Sequence, residues 1–116
     1  MELKRVVVTG MGVISPIGND LASYTQSLKD GKGGVGPLTL IDPEPHATKI
    51  AAEVKNFNPE DYIDRKDARR MGRFTQFAVV AADQAIADSG IDFENVDTNF
   101  FVSIIASGIG GMPTFE

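Results

Sequence analysis

Apolar residues follow two patterns along the chain, and these patterns predict strands alternating with helices. Residues 2–9 contain a continuous run of three valines at 6–8, and residues 100–106 form a second apolar run interrupted by one serine. Continuous β-branched or aromatic runs of this length are typical of strands that are covered on both faces. We therefore predict a buried strand at each of these two segments.

The clearest helical pattern lies between residues 73 and 89. Its apolar positions recur at a spacing of three and four residues, and they are Phe74, Phe77, Ala78, Ala81, Ala82, Ala85 and Ile86. This spacing predicts a buried amphipathic helix whose alanine-lined face packs closely against a neighbouring helix or sheet. Gly90 is placed to end the helix.

Weaker local signals predict the elements in between. A helix is expected over residues 20–30, because Asn19 or Asp20 can cap its first turn and Gly31 can close it. The other expected elements are a loop over residues 31–45, a short strand over 49–54, a helix start at Pro59, and a helical stretch over 65–71 that Gly72 interrupts.

This order of strand, helix, loops, helix and strand indicates the α/β class. Two buried strands do not make a stable sheet by themselves. The pattern therefore predicts that the chain is an incomplete part of a larger sheet, or that it needs a partner that completes the sheet.

Composition narrows the classes of function. The 116 residues carry a net charge of −5, which argues against generic nucleic-acid binding. No apolar run approaches the roughly 20 residues that span a bilayer, and the N-terminus lacks the apolar core of a signal peptide, so we expect a cytoplasmic protein without membrane contact. The absence of cysteine excludes thiolate metal ligands and cysteine nucleophiles within these residues.

Positive charge is concentrated in one window of this acidic chain. Residues 65–73 hold five basic residues and one acid, a net charge of +4, so the remaining residues carry −9. On a continuous helix, four of the cations would share one face, and they are Lys66, Arg69, Arg70 and Arg73. Gly72 can offset Arg73 from the other three. The window is interpreted either as a solvated helix face or as a docking site for an anionic partner.

Other motifs give weaker indications of chemistry. The turn at Gly10 and Gly12 after the first strand resembles the start of a dinucleotide site, but position 15 is serine where the full pattern has a third glycine. The glycine-rich turn at residues 107–111 lacks the Gly-Lys-Ser/Thr ending of a phosphate-binding loop. His46 is the sole histidine, and one histidine makes no metal cluster, so we expect it on the surface.

The ordered set of segments resembles the β-ketoacyl-acyl carrier protein synthases, closest to the type II enzyme. The segments that carry the resemblance are residues 5–19, 31–36, 50–57, 69–78, 88–90 and 106–111. They cover essentially the whole chain in the family's order and spacing. Each is weakly specific alone, and the ordered set is highly specific.

The resemblance implies a thiolase-like fold of five αβαβα layers, of which residues 1–116 would form an incomplete first part of the N-terminal half. It implies a homodimer that uses no cofactor or metal and performs a decarboxylative Claisen condensation in fatty-acid elongation. The catalytic cysteine and two histidines of the family lie downstream of the matched segments. No catalytic residue is therefore expected in this chain, and the 116 residues alone should be inactive.

Two features of the family fall on residues of this chain. Lys66, Arg69 and Arg70 correspond to a basic patch that docks acyl carrier protein, in its acyl-loaded and malonyl-loaded forms. Ile109 corresponds to a residue that lines the far end of the acyl pocket near the dimer interface. The alternatives are a non-catalytic fragment that only binds the carrier, a chain-length-factor-like partner subunit, and a dinucleotide-binding domain.

Overall fold

The structure, a computed structural model, describes residues 3–111. Its helices are α1 (Leu21–Lys29), α2 (Arg65–Ala68) and α3 (Arg73–Ser89), with 3-10 helices at Pro59–Asp61 and Thr98–Phe100. Its strands are β1 (Val35–Pro37) and β2 (Ile50–Ala52). Within residues 3–111, no helix is both long and apolar enough to cross a membrane.

Local capping accounts for the position of α1. The Asp20 carboxylate accepts a hydrogen bond from the Ser23 backbone N–H at 2.7 Å, which satisfies a donor that the first turn leaves free. This hydrogen bond lowers the pKa of Asp20 from its usual value. Gly31 follows the helix with a φ of 65°. The predicted helix, its cap and its end are all confirmed.

β1 and β2 form a two-stranded antiparallel sheet in which Val35 lies opposite Ala52. β2 falls within the strand predicted over residues 49–54, whereas β1 lies in a segment that was expected to be a loop. Three-residue strands give little periodicity, so pairing with β2 reveals β1 where the local sequence does not. The Glu53 carboxylate extends the pairing by accepting the backbone N–H groups of Thr39 and Leu40.

Glycines set both ends of α3. Gly72 is its N-cap and separates it from α2, and Gly90 ends it in the left-handed conformation with a φ of 63°. The bounds of this helix are confirmed, but its predicted buried face is partly wrong. Gln76 and Val80 are its buried residues, while the side chains of Phe74 and Ile86 are 41% and 40% exposed.

The close packing predicted for α3 is present, and its partner is the glycine-bearing segment near the N-terminus. A Cβ atom on Gly10 would overlap the carbonyl oxygen of Ala85, and one on Gly12 would overlap that of Ala81. Hydrogen bonds hold this approach, because Val13 N–H donates to Gln84 Oε1 at 3.0 Å. The glycines at 10 and 12 are therefore required by contact with α3, and this favours a structural role over a dinucleotide site.

The two buried strands predicted from the valine run and from residues 100–106 are wrong for the described residues. Neither segment is a strand within residues 3–111. Val6 is 89% exposed and Ile104 is 90% exposed. A strand needs a neighbour to pair with its backbone N–H and C=O groups, and the sheet in this part of the chain consists of β1 and β2 alone. The described residues thus show the α/β class without the five-layered arrangement.

Candidate functional site

The basic window forms an exposed face on α2 and the turn after it. Lys66, Arg69 and Arg70 are all exposed. Together with Asp64 and Arg65 they line a shallow cavity of about 590 Å³. The structure thus brings together the three cations that are predicted to form a docking site.

Capping and a buried anchor hold this face in place. The Asp64 carboxylate accepts the Lys66 backbone N–H at 2.8 Å and begins α2. Ala68 is 4% exposed, and its carbonyl oxygen accepts a hydrogen bond of 2.9 Å from Nε2 of the buried Gln76 on α3. The same Gln76 nitrogen donates to the Met71 carbonyl oxygen. The backbone that carries the cations is therefore held against α3.

Arg73 does not belong to this face. Its guanidinium lies 4.8 Å from the ring centroid of Phe57 and 4.9 Å from that of Phe77. It also donates a hydrogen bond of 3.2 Å to the Phe57 carbonyl oxygen. The break at Gly72 turns Arg73 toward this aromatic cluster, in which Tyr62 stacks on Phe57. Four cations at helical spacing therefore become three on one face and one in a structural contact.

Neighbouring carboxylates pair with some groups of this face and leave other cations exposed to solvent. Arg65 Nε lies 3.4 Å from Glu60 Oε1, and both side chains are substantially exposed. The Asp64 carboxylate is engaged in the helix cap. Lys66, Arg69 and Arg70 thus present positive charge to solvent beside an acidic residue, Asp67, that is also exposed. Such an arrangement attracts an acidic surface, and the attraction weakens as salt is added.

A second cavity, of about 460 Å³, was not anticipated from the sequence. Its lining includes the turn at residues 15–20, with Lys32, Lys55, Asn56 and Tyr62 opposite. Asn56 adopts a φ of 55°, which is uncommon for a residue with a side chain. No compact motif marks this cleft, because its residues come from four separate segments. Contacts between these segments shape it, including a hydrogen bond of 2.9 Å from Asn19 Nδ2 to the Lys55 carbonyl oxygen.

The other predicted site residues lie apart from both cavities. Ile109 is 80% exposed and lines neither of them. Its loop is held by a hydrogen bond of 3.0 Å from the Gly110 N–H to Ser107 Oγ. The position of Ile109 in an acyl pocket stays a prediction. His46 is exposed, as expected. No group of three potential metal ligands occurs among residues 3–111.

Comparisons with known proteins identify relatives of the chain. The model of the β-ketoacyl synthase N-terminal domain matches residues 3–115. The 3-oxoacyl-[acyl-carrier-protein] synthase 2 of Staphylococcus aureus strain N315 is 50% identical over 113 residues, which cover 97% of this chain and 27% of that protein. The enzyme of the same name from Synechocystis is 44% identical over all 116 residues, or 28% of its length. The chain thus spans about a quarter of the length of these relatives.

Solved structures of ketosynthases align with the fold of this chain. An ishigamide ketosynthase/chain length factor aligns with a TM-score of 0.69 at 39% identity, over 78% of this chain and 22% of that one. A type II PKS acyl-carrier protein in complex with its ketosynthase bound to the hexaketide aligns with a TM-score of 0.62 at 26% identity, over 84% and 24%. The described residues therefore have a ketosynthase-like fold. Since the domain model matches nearly the whole chain, the chain belongs to the β-ketoacyl synthase family, in its N-terminal domain.

Proposed function

We propose that this chain is the N-terminal portion of a condensing enzyme that extends fatty acyl chains on acyl carrier protein. The observation that carries the proposal is the 50% identity to a 3-oxoacyl-[acyl-carrier-protein] synthase 2 over 97% of the chain. The exposed basic face on α2 supports it, because it offers an acidic carrier protein a complementary surface.

The proposed reaction is a decarboxylative Claisen condensation. An acyl group passes from acyl carrier protein to a cysteine, releasing the carrier thiol. Malonyl-carrier loses carbon dioxide, and the resulting carbanion attacks the acyl thioester, so that a carbon–carbon bond forms and the cysteine is released. The thiolate and the groups that stabilise the developing negative charge belong to the part of the protein outside this chain. The role proposed for this chain is to bind the carrier.

The activity is tested with the full-length protein, an acyl-carrier and malonyl-carrier. The expected products are 3-oxoacyl-carrier and carbon dioxide. Mass spectrometry of the carrier detects the 3-oxoacyl product. A protein that releases no carbon dioxide and forms no 3-oxoacyl product would contradict the proposal.

Carrier docking is tested separately by reversing the charges of the face. The triple variant Lys66→Glu, Arg69→Glu, Arg70→Glu should weaken carrier binding at least about tenfold at low salt, since each exposed charge pair contributes up to about 1 kcal/mol. The slope of affinity against salt should also become flatter. Lys29→Glu, at an exposed position on α1, serves as the control and should change binding little. Equal affinities for the triple variant and the wild type at low salt would discard the docking face.

A partner subunit of the chain-length-factor kind is the second candidate function. It is favoured by the alignment with an ishigamide ketosynthase/chain length factor at a TM-score of 0.69. The two candidates differ in the residue at the nucleophile position outside this chain. Labelling the full-length protein with a thiol-reactive acyl analogue separates them, because a subunit without the cysteine takes up no label.

Together with this activity, we propose four further properties that are implied by the family. They are a five-layered αβαβα fold, a homodimer, a cytoplasmic location, and a place for Ile109 at the end of the acyl pocket. If Ile109 limits the pocket, Ile109→Ala should shift the preferred substrate toward longer acyl chains, because a smaller side chain leaves more room. An unchanged preference in competition between acyl-carriers of different lengths would remove Ile109 from the pocket.

A further inference from the structure

The basic face contains a fourth cation that is already engaged within the chain. Arg65 lines the same cavity as Lys66, Arg69 and Arg70. Its Nε atom, however, lies 3.4 Å from Glu60 Oε1. An acidic partner that enters this cavity therefore meets three available cations and one that is shared with a carboxylate of the chain itself.

The elements that carry the pair hold it in position. Glu60 lies in the 3-10 helix Pro59–Asp61, which Asn58 caps. Arg65 is the first residue of α2, which Asp64 caps. A hydrogen bond of 2.9 Å from the Ile63 N–H to the Pro59 carbonyl oxygen closes the short connection between them. The two backbones are thus set close together, and the side chains meet without a long loop between them.

The ion pair between Arg65 and Glu60 can also be broken easily by a competing carboxylate. The side chains of Arg65 and Glu60 are 68% and 45% exposed, and an ion pair this exposed contributes little to stability. An incoming carboxylate can therefore replace Glu60 without breaking a buried interaction.

We propose that Arg65 is a fourth docking cation and that Glu60 competes for it with the carboxylates of an acidic protein partner. The proposal rests on the carrier-docking function proposed above and concerns the regulation of the same surface. Glu60 lowers the affinity of the face, so that the partner binds by exchange and leaves readily. A partner that must dissociate after each reaction cycle is served by such moderate affinity.

The test is a double-mutant cycle in the full-length protein, with acyl carrier protein as the binding probe. Glu60→Gln should raise the affinity about two- to fivefold at low ionic strength, because it releases Arg65. In the Arg65→Gln background, Glu60→Gln should change the affinity hardly at all. The gain should shrink as salt is raised. A gain in affinity also shows that the variant is folded.

Asp61→Asn is the matched control. Asp61 lies on the same 3-10 helix and loses the same charge, but its Oδ1 accepts a hydrogen bond of 2.8 Å from Asn58 Nδ2 instead of contacting Arg65. The proposal is overturned if Asp61→Asn raises the affinity as much as Glu60→Gln, or if the gain persists in the Arg65→Gln background. In those cases the general field of the carboxylates is responsible. If the triple charge reversal described above does not weaken carrier binding, the docking function itself is contradicted.

Discussion

Single residues of this chain are constrained most strongly where backbone meets backbone. Gly10 and Gly12 lie against the carbonyl oxygens of α3 and leave no room for a side chain. Glu53 shows the complementary case, in which one exposed carboxylate organises a loop by accepting two backbone N–H groups. Both constraints come from tertiary contacts, which cannot be recognised from composition or from a sequence motif.

Gly12→Ala should destabilise the protein by about 2–3 kcal/mol, as overpacking does at a closely packed site. The added Cβ would lie 2.8 Å from the Ala85 backbone nitrogen and closer still to the Ala81 carbonyl oxygen. Gly33→Ala is the control, because a Cβ there has no neighbour within 4 Å, and its effect should stay within about 0.5 kcal/mol. Urea unfolding of the full-length protein measures both. Equal stabilities of the two variants would contradict the packing of Gly12 against α3.

The Glu53 carboxyl should titrate below its usual pKa of 4.5. The side-chain hydrogen bond from Thr39 and the backbone N–H groups of Thr39 and Leu40 favour its charged form and lower the pKa. Because the pKa in the folded state is depressed, the stabilisation is present above the unfolded-state pKa and is lost as pH falls through the folded-state pKa.

The amide shifts of Thr39 and Leu40, followed by NMR as pH is lowered, report this titration. Their transition should have a midpoint below 4.5 and should vanish in Glu53→Gln. A midpoint at or above 4.5 would show that Glu53 does not hold the loop.

At the scale of elements, capping residues set the bounds and aromatic contacts set the arrangement. Asp20, Asp64 and Gly72 begin the three α-helices. The packing of α3 against the segment at Phe57 then depends on Arg73, whose guanidinium lies over the rings of Phe57 and Phe77. A planar guanidinium can lie over the rings and also donate to the Phe57 carbonyl oxygen, whereas a compact ammonium binds a ring only as a point charge.

Arg73→Lys should therefore lower the free energy of unfolding by about 1 kcal/mol although it keeps the charge, and Arg73→Gln by about 2 kcal/mol. Arg69→Gln is the matched control on the exposed face, and its effect on stability should be within about 0.5 kcal/mol. For carrier binding, the Arg69 variant should have the larger effect and the Arg73 variant the smaller. Arg69→Gln should flatten the salt dependence of affinity, whereas Arg73→Gln should leave that slope unchanged. A flattened slope in Arg73→Gln would place Arg73 among the docking cations.

At the scale of the whole molecule, the most informative feature is the exposure of two apolar segments. The three valines at 6–8 are between 67% and 89% exposed, and Phe100 is 85% exposed. Exposed apolar stretches of this extent mark surfaces that are normally covered. The proposed five-layered fold of the full-length protein supplies the cover, because it places both segments in sheets.

Hydrogen exchange in the full-length protein tests this expectation. The amides of residues 6–8 and 102–105 should exchange slowly, since strand pairing protects backbone N–H groups. The exposed residues Ala47 and Thr48 provide the fast-exchanging reference. Exchange at residues 6–8 as fast as at this reference would contradict the layered fold.

The sequence by itself determined α1 and α3 with their ends, the start of α2 and the position of the basic face. Caps at Asp20, Gly72 and Gly90 act over a few residues, so their effect is visible locally. Only the tertiary structure decided that Arg73 leaves the basic face, that α3 buries Gln76 and Val80, and that β1 pairs with β2. These outcomes depend on contacts between residues distant in the chain. The composition of the valine run predicts a strand, but a strand forms only where a neighbour satisfies its backbone.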